Sequence, residues 1–428
     1  MRPMIGSGLL RQLYTGLLLA SYPLLKSYLR KERLNELSDA QRAGQVSPSQ
    51  QPVIWAHCAS VGEVLAAEPL LRQLIKEHPD KRLVVTTMTA TGGQMVRDKL
   101  PEACHYLLPL DLPWTTQRFI RTLSPLVGLV FETELWPNLI HACQRADVPL
   151  VLLNGRLSDK AFQRYRRLRP LVSACLHAFQ VVAAKSAEDA ERFRILGGPG
   201  VRIEVTGSIK FDLQPDPTQL AEGRAMRQAF GDRPVWIAAS THEGEETLLL
   251  EVHRQWRKKQ PRALLILVPR HQPRFDSVAG LLDQQGWQWT RHSERAPIAD
   301  SVEVLLGDTL GEMMCLYAAA DIAFVGGSLV PIGGHNLLEP AAAATPCVTG
   351  PYLDNFLDIA ALMRAAKALE EVGGADVLPD RLQQLYENPG QRAQLVEAGL
   401  AVVAQNQGAL ARQYAFVTAA MQEKEALD

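Results

Sequence analysis

The sequence has no surplus of charge of either sign: 45 Lys and Arg against 46 Asp and Glu leave a formal net charge of −1 over 428 residues. With no whole-chain basic field to draw in a polyanion, nucleic acid is not expected as a partner. Cysteine is sparse as well. The six, Cys58, Cys104, Cys143, Cys175, Cys315 and Cys347, stand singly, without a C-x-x-C pair or a histidine spacing suited to zinc. That excludes a disulfide framework and predicts reduced core thiols in a reducing compartment. No apolar run is long enough to span a bilayer, because the uncharged stretch from Gln12 to Leu25 falls short of the ~20 residues required and Pro23 interrupts it. No small-x-small cleavage site follows, so a secretory leader is not expected either. Internal repeats are absent.

What the N-terminus does contain is leucine framed by cations. Arg2, Arg11, Lys26, Arg30, Lys31 and Arg33 flank Leu9, Leu10, Leu13, Tyr14, Leu17, Leu18, Leu24, Leu25 and Tyr28. The pattern predicts a helix lying in a membrane surface, its cations against anionic headgroups, over residues 1–33. A helix packed on the protein itself gives the same pattern.

Beyond it, short apolar runs alternate with helical periodicity. Strands are expected at 53–59, 82–88, 105–108, 126–131, 150–153, 179–183 and 202–206, and again at 235–239, 264–268, 287–290, 303–306, 322–325 and 347–349. With 47% hydrophobic residues, the chain can bury two full cores. The fold class read from this is α/β, two doubly wound Rossmann-like domains over 34–213 and 214–428, facing a cleft as the expected substrate site.

The densest cluster of functional residue types is G-G-S-L-V-P-I-G-G-H-N-L-L-E-P, Gly326 to Pro340, after the expected strand at 322–325 and before a helix expected over 336–344. Glycines at a strand's carboxyl end let backbone approach a phosphate, although a tight turn capped by Asn336 needs the same residues. Gly326, Gly327 and Ser328 are candidate nucleotide contacts, with Asn336; Glu339 is suited to paired ribose hydroxyls. Further strand ends add Lys210, the S-T-H-E-G-E run Ser240 to Glu245, Arg270 with His271, and Gly307 with Gly311, Glu312 and Met313. Basic and amide groups on successive strand ends point to a phosphate-bearing ligand.

The first half offers carboxylates. Ser60, Gly62 and Glu63 follow the first strand, and S-x-x-E spacing suits a capping box as well as a positioned base. Glu132 and Glu134, two apart after the fourth strand, would share a face if extended and could grip a cation. Without a completing cluster, hydrogen-bonding roles are favoured, with Trp136 as a sugar platform and Arg156 on the acceptor or sugar side. The basic run Arg164 to Arg169 points to an anionic acceptor or bilayer, or to an ordinary solvated face.

Together, H-C-A-S-V-G-E (His57 to Glu63), F-E-T-E-L-W-P-N (Phe131 to Asn138), N-G-R-L-S (Asn154 to Ser158), T-G-S-I-K-F-D (Thr206 to Asp212), P-R-H (Pro269 to His271) and the glycine loop resemble the 3-deoxy-D-manno-octulosonic acid (Kdo) transferases of lipopolysaccharide synthesis. The resemblance spans essentially the whole chain. It implies a GT-B glycosyltransferase, inverting and without a catalytic metal or other cofactor, that moves Kdo from CMP-Kdo to the lipid A precursor (lipid IVA) at the cytoplasmic face of the inner membrane. Glu63 would be the general base, Arg270 and Lys210 would meet the charge of departing CMP, and Asn336 and Glu339 would hold the nucleotide. The rival readings are another GT-B transferase or epimerase acting on a UDP-sugar, a glycoside hydrolase, which needs two carboxylates but no nucleotide cradle, and a non-catalytic sugar-binding protein.

Overall fold

The computed structural model describes residues 7–22, 38–213 and 215–426. Most of the expected terminal cations, with Pro23, Leu24, Leu25 and Tyr28, lie outside them. Among the described residues the first sheet comprises β1 (Val53–His57), β2 (Arg82–Thr87), β3 (Cys104–Leu107), β4 (Pro125–Phe131), β5 (Leu150–Gly155), β6 (Phe179–Ala184) and β7 (Ile203–Val205), ordered β3-β2-β1-β4-β5-β6-β7. All of its pairings are parallel. Each crossover contains a helix, so the central strands are buried on both faces and read as unbroken apolar runs. Trp55 of β1 meets Phe119 edge-on at 5.7 Å, and Gly128 of β4 passes so close that a Cβ there would lie 2.9 Å from the indole and 2.6 Å from Leu150. Glycine at that position lets the strand pass the indole.

The second sheet is also parallel: β8 (Val235–Thr241), β9 (Leu264–Pro269), β10 (Trp289–Arg291), β11 (Val304–Leu306), β12 (Ile322–Val325), β13 (Cys347–Thr349) and β14 (Leu369–Glu371), ordered β10-β11-β9-β8-β12-β13-β14. β14 is the strand the sequence reading missed. It has three residues and buries only Leu369, so it offers no apolar run to read. The helix expected over 336–344 is shorter, Leu338–Ala342.

The chain divides at Asp212 and returns to its first unit at Gln407. The expected second domain, 214–428, is therefore corrected: the helix Ala409–Glu425 completes the first core, packing Val417, Ala420 and Met421 with Ile54, Leu129 and Val151. The Asp212 carboxylate accepts from the Gly408 and Leu410 amides, and Arg412 donates to the Thr206 carbonyl at 2.7 and 3.1 Å. This return is invisible to local pattern. The six cysteines are free; five are buried and Cys104 is half-buried.

No described helix is long and apolar enough to cross a membrane. The helix Ser7–Ala20 packs against the helices Pro137–Arg145 and Arg169–Leu176. Its inner side carries Leu10, Arg11, Tyr14, Thr15 and Leu18, all half-buried. Arg11 donates to Asn138 Oδ1 at 3.0 Å, Asn138 Nδ2 donates to Thr15 at 3.0 Å, and the Tyr14 hydroxyl bonds Asp111. Asp111 also accepts from the Asn138 and Leu139 amides, and burial pushes its carboxyl up to about 6. The opposite side is apolar and open: Leu9, Leu13 and Leu17, one stripe at i, i+4 and i+8, are 63%, 56% and 72% exposed.

Candidate active site

In both sheets the strand order reverses beside the first strand of the unit, between β1 and β4 and between β8 and β12. Carboxyl-end loops diverge at such a point and leave a crevice. The sequence-derived candidates fall largely on these loops.

In the first unit, Ser60 caps the helix Val61–Glu77 and Glu63 is in its first turn, with Gly62 between them. The capping geometry is present: Ser60 Oγ accepts from the Glu63 amide at 3.4 Å and donates to Glu63 Oε1 at 3.1 Å, while Glu63 Oε2 accepts from the Ala59 amide at 2.7 Å. Capping is not the whole account. Burial, followed by the nearby Glu134 and Glu132 charges, pushes the Glu63 carboxyl up to about 8 against those two hydrogen bonds. A side chain serving only to cap a helix gains nothing from that environment, whereas a base working near neutral pH does.

Glu132 and Glu134 are not on one face of a strand as expected, because β4 ends at Phe131 and Glu132 adopts a left-handed backbone with φ 58°. Burial raises the Glu132 carboxyl, opposed by the charges of Arg156, Lys185 and Lys210. Lys210, grouped from sequence with the nucleotide contacts, thus belongs with Glu132 in the first unit, on the short turn Ile209–Phe211. Trp136 Nε1 donates to Glu134 Oε2 at 2.9 Å, holding the indole edge-on to the carboxylate. His57 is fully buried; its Nδ1 lies 3.1 Å from both the carbonyl and the hydroxyl of Thr86, and its Nε2, 3.9 Å from Glu134, has no hydrogen-bond partner. Asn154 Oδ1 and Ser208 Oγ, likewise buried, are also unpartnered. Unsatisfied buried polar atoms and left-handed non-glycine residues (Glu132, Asn154) gather where ligands act. Sequence reasoning did not single out Lys185, whose only signal is its place at the end of β6. Among the described residues no group of three or more His, Cys, Asp or Glu is arranged to hold a metal ion.

In the second unit the glycine loop differs from the expected phosphate cradle. Glu245, fully buried at the start of the helix Glu245–Arg257, fills it: its carboxylate accepts from the amides of Gly327 at 2.7 Å, Ser328 at 3.1 Å and Leu329 at 3.0 Å. Ser328 Oγ donates to the Val325 carbonyl and accepts from the Gly350 amide. Gly327 and Ser328 are therefore internal supports of the loop, and their amides do not face a ligand. Gly326 is required sterically, since a Cβ there would lie 2.8 Å from the Glu245 carboxylate.

The groups left to meet a ligand are Arg270, His271, His242, His335, Asn336 and Glu339. Arg270 and His271 are exposed at the end of β9. Asn336 Nδ2 donates to Glu339 Oε1 at 3.3 Å; burial raises the Glu339 carboxyl, and that bond and the Arg270 charge oppose the rise. Glu312, before the helix Met313–Ala318, is bound by Arg295 and by His292, 3.0 Å away, which hold its carboxyl below the usual range. Gly311, with φ 81°, makes the turn into it, and Gly307 passes Val268 where a Cβ would lie 2.8 Å from that side chain.

Two doubly wound units, one presenting buried carboxylates at its switch point and the other a glycine loop with convergent Arg, Asn and Glu, define a GT-B glycosyltransferase. The fold is shared with MurG of Acinetobacter baumannii, at TM-score 0.53 and 14% identity over 87% of this chain and 99% of that one. The chain belongs to the 3-deoxy-D-manno-octulosonic acid transferase (kdotransferase) family, whose model matches residues 31–213. It is 39% identical to the 3-deoxy-D-manno-octulosonic acid transferase of Haemophilus influenzae over 94% of this chain and 96% of that protein. It is 37% identical to the Bordetella pertussis transferase of the same name, over 87% and 88%.

Proposed function

We propose that the protein transfers Kdo from CMP-Kdo to a lipid A precursor with inversion at the anomeric carbon, Glu63 acting as general base. The carrying observation is the Glu63 carboxyl: buried, pushed up to about 8 and hydrogen-bonded at a switch point. An acceptor hydroxyl must lose its proton as its oxygen attacks the anomeric carbon, and a carboxylate of raised pKa takes that proton efficiently near neutral pH. The bond from the anomeric carbon to the phosphate breaks, and CMP leaves as a phosphate monoester whose charge Arg270 meets. Asn336 and Glu339 hold the ribose. Kdo carries a carboxylate of its own, and the cations Arg156, Lys185 and Lys210 around Glu132 suit that anionic sugar or a phosphorylated acceptor.

The outward stripe Leu9, Leu13 and Leu17 supports a place on a membrane surface, where a lipid acceptor resides. The inner-membrane cytoplasmic face is the compartment this reading assigns. Competition for donor tests the nucleotide: CMP should inhibit and UDP should not, and chelation by EDTA should leave turnover unchanged. Inhibition by UDP in preference to CMP would favour the UDP-sugar alternative, and loss of activity in EDTA restored by Mg²⁺ or Mn²⁺ would overturn the metal-free step.

A further inference from the structure

The loops around Gly327 hold a pair of imidazoles to which the reaction above gives no role. His242, three residues before the carboxylate that fills the glycine loop, and His335, immediately before Asn336, lie with their rings nearly parallel, 4° apart at 4.9 Å between centroids. Their Nε2 atoms are 2.7 Å apart. At that distance one nitrogen must donate and the other accept, so the two Nε2 atoms share a single proton. His271 approaches His242 edge-on at 5.5 Å. Gly327 lies against the pair: a Cβ there would lie 3.0 Å from His335 and 3.5 Å from His242, so a side chain at this position would crowd the rings.

The charges around the pair are mostly positive. His242 faces His271, Arg274 and Arg270, with Glu246 opposing; His335 faces Arg270, His242 and His271. The nearby carboxylates are already engaged. Glu245 is held by the loop amides and Glu246 by Arg274 and the Thr241 hydroxyl, while Glu339 is bonded by Asn336. Burial, followed by these cations, lowers the proton affinity of both rings, with His335 driven down to about 4. An imidazole pair joined at 2.7 Å beside an arginine, in a site for a phosphate monoester, gains most from an added proton when the anion arrives.

We infer that the His242–His335 pair takes up one proton from solvent when the phosphate of a cytidine nucleotide settles beside Arg270, supplying anion recognition that the free protein withholds. No other bond is made or broken in this step. Binding and protonation are then linked: the bound anion raises the pair's proton affinity, and the proton raises the affinity for the anion. The inference deepens the reading of this loop as a nucleotide site and rests on it.

Titration calorimetry of the full chain with CMP at pH 7.5, in buffers of different ionisation enthalpy, counts the protons taken up. The phosphate, with its second pKa near ~6, is already a dianion there. The expected result is net proton uptake on CMP binding, and an affinity that falls as pH rises through neutrality. His335→Gln and His242→Asn, each still binding CMP, should take up less than half as much and lose most of the pH slope. CMP binding without proton uptake, or undiminished uptake in both variants, would overturn the pair's role while leaving the nucleotide site intact. Failure of the wild-type chain to bind CMP at all would overturn the nucleotide reading and this inference with it.

Discussion

At the scale of single residues, burial decides what a side chain is for. Glu63 satisfies a helix cap, and glutamine could do so too, but only a carboxylate can take a proton. Glu63→Gln should therefore fold normally and lower turnover by roughly 10²-fold or more. The wild-type rate should climb as pH rises through about 8, as the base ionises, and that limb should vanish in the variant. The stability consequence has a definite sign. A folded-state pKa above the unfolded value near ~4.3 gives a contribution that is full below that value and lost as pH rises through the folded one. Glu63→Gln should consequently melt no lower than wild type at pH 9; a clearly lower Tm there would make the residue structural. Glu245 is the contrasting case, a carboxylate engaged by three loop amides. Glu245→Ala leaves buried N–H groups without an acceptor and should cost about 1–3 kcal/mol in denaturant unfolding. An unchanged midpoint would mean that the loop does not depend on it. Neither environment could be read from sequence, where both residues appear simply as glutamates beside glycines at strand ends.

At the scale of elements, most of the architecture was legible because the central parallel strands, buried on both faces, spell continuous apolar runs; all thirteen expected strands have a counterpart, although β3, β7 and β10 are only partly buried. β14 escaped because its residues, Leu369 followed by Glu370 and Glu371, form neither an apolar run nor an alternation. The Glu132 turn escaped because its φ of 58° depends on the tertiary setting and not on residue type. The N-terminal helix combines the two readings its sequence left open. Its inner side is docked through Asn138 and Asp111, and its outer side is leucine. Deleting it would strip partners from Asp111 and Asn138 as well as remove the stripe, so substitution is the cleaner probe. Leu9→Gln, Leu13→Gln and Leu17→Gln together should leave the unfolding free energy within about 1 kcal/mol of wild type, because these side chains are exposed already. Flotation with anionic vesicles should nevertheless fall sharply, since each buried leucine is worth ~1.5–3 kcal/mol of partitioning. Vesicle binding unaffected by the three substitutions would remove this helix from the membrane account.

At the scale of the whole molecule, the order of motifs along the chain was legible and the closure of the fold was not. The return of Ala409–Glu425 to the first core links residues some two hundred positions apart through Asp212 and Arg412, beyond the reach of any window of sequence. The functional claim depends on two chemistries in one chain: a raised carboxylate in the first unit and a phosphate site in the second. It is tested most directly by a single-turnover reaction of purified protein with CMP-Kdo and detergent-dispersed lipid A precursor, read by product mass and released CMP. The account predicts that wild type gives an acceptor heavier by Kdo with matching CMP release. It predicts that Glu63→Gln gives neither on the same timescale while still binding CMP. Transfer by Glu63→Gln at the wild-type rate, or CMP release by wild type without a heavier acceptor, would contradict it.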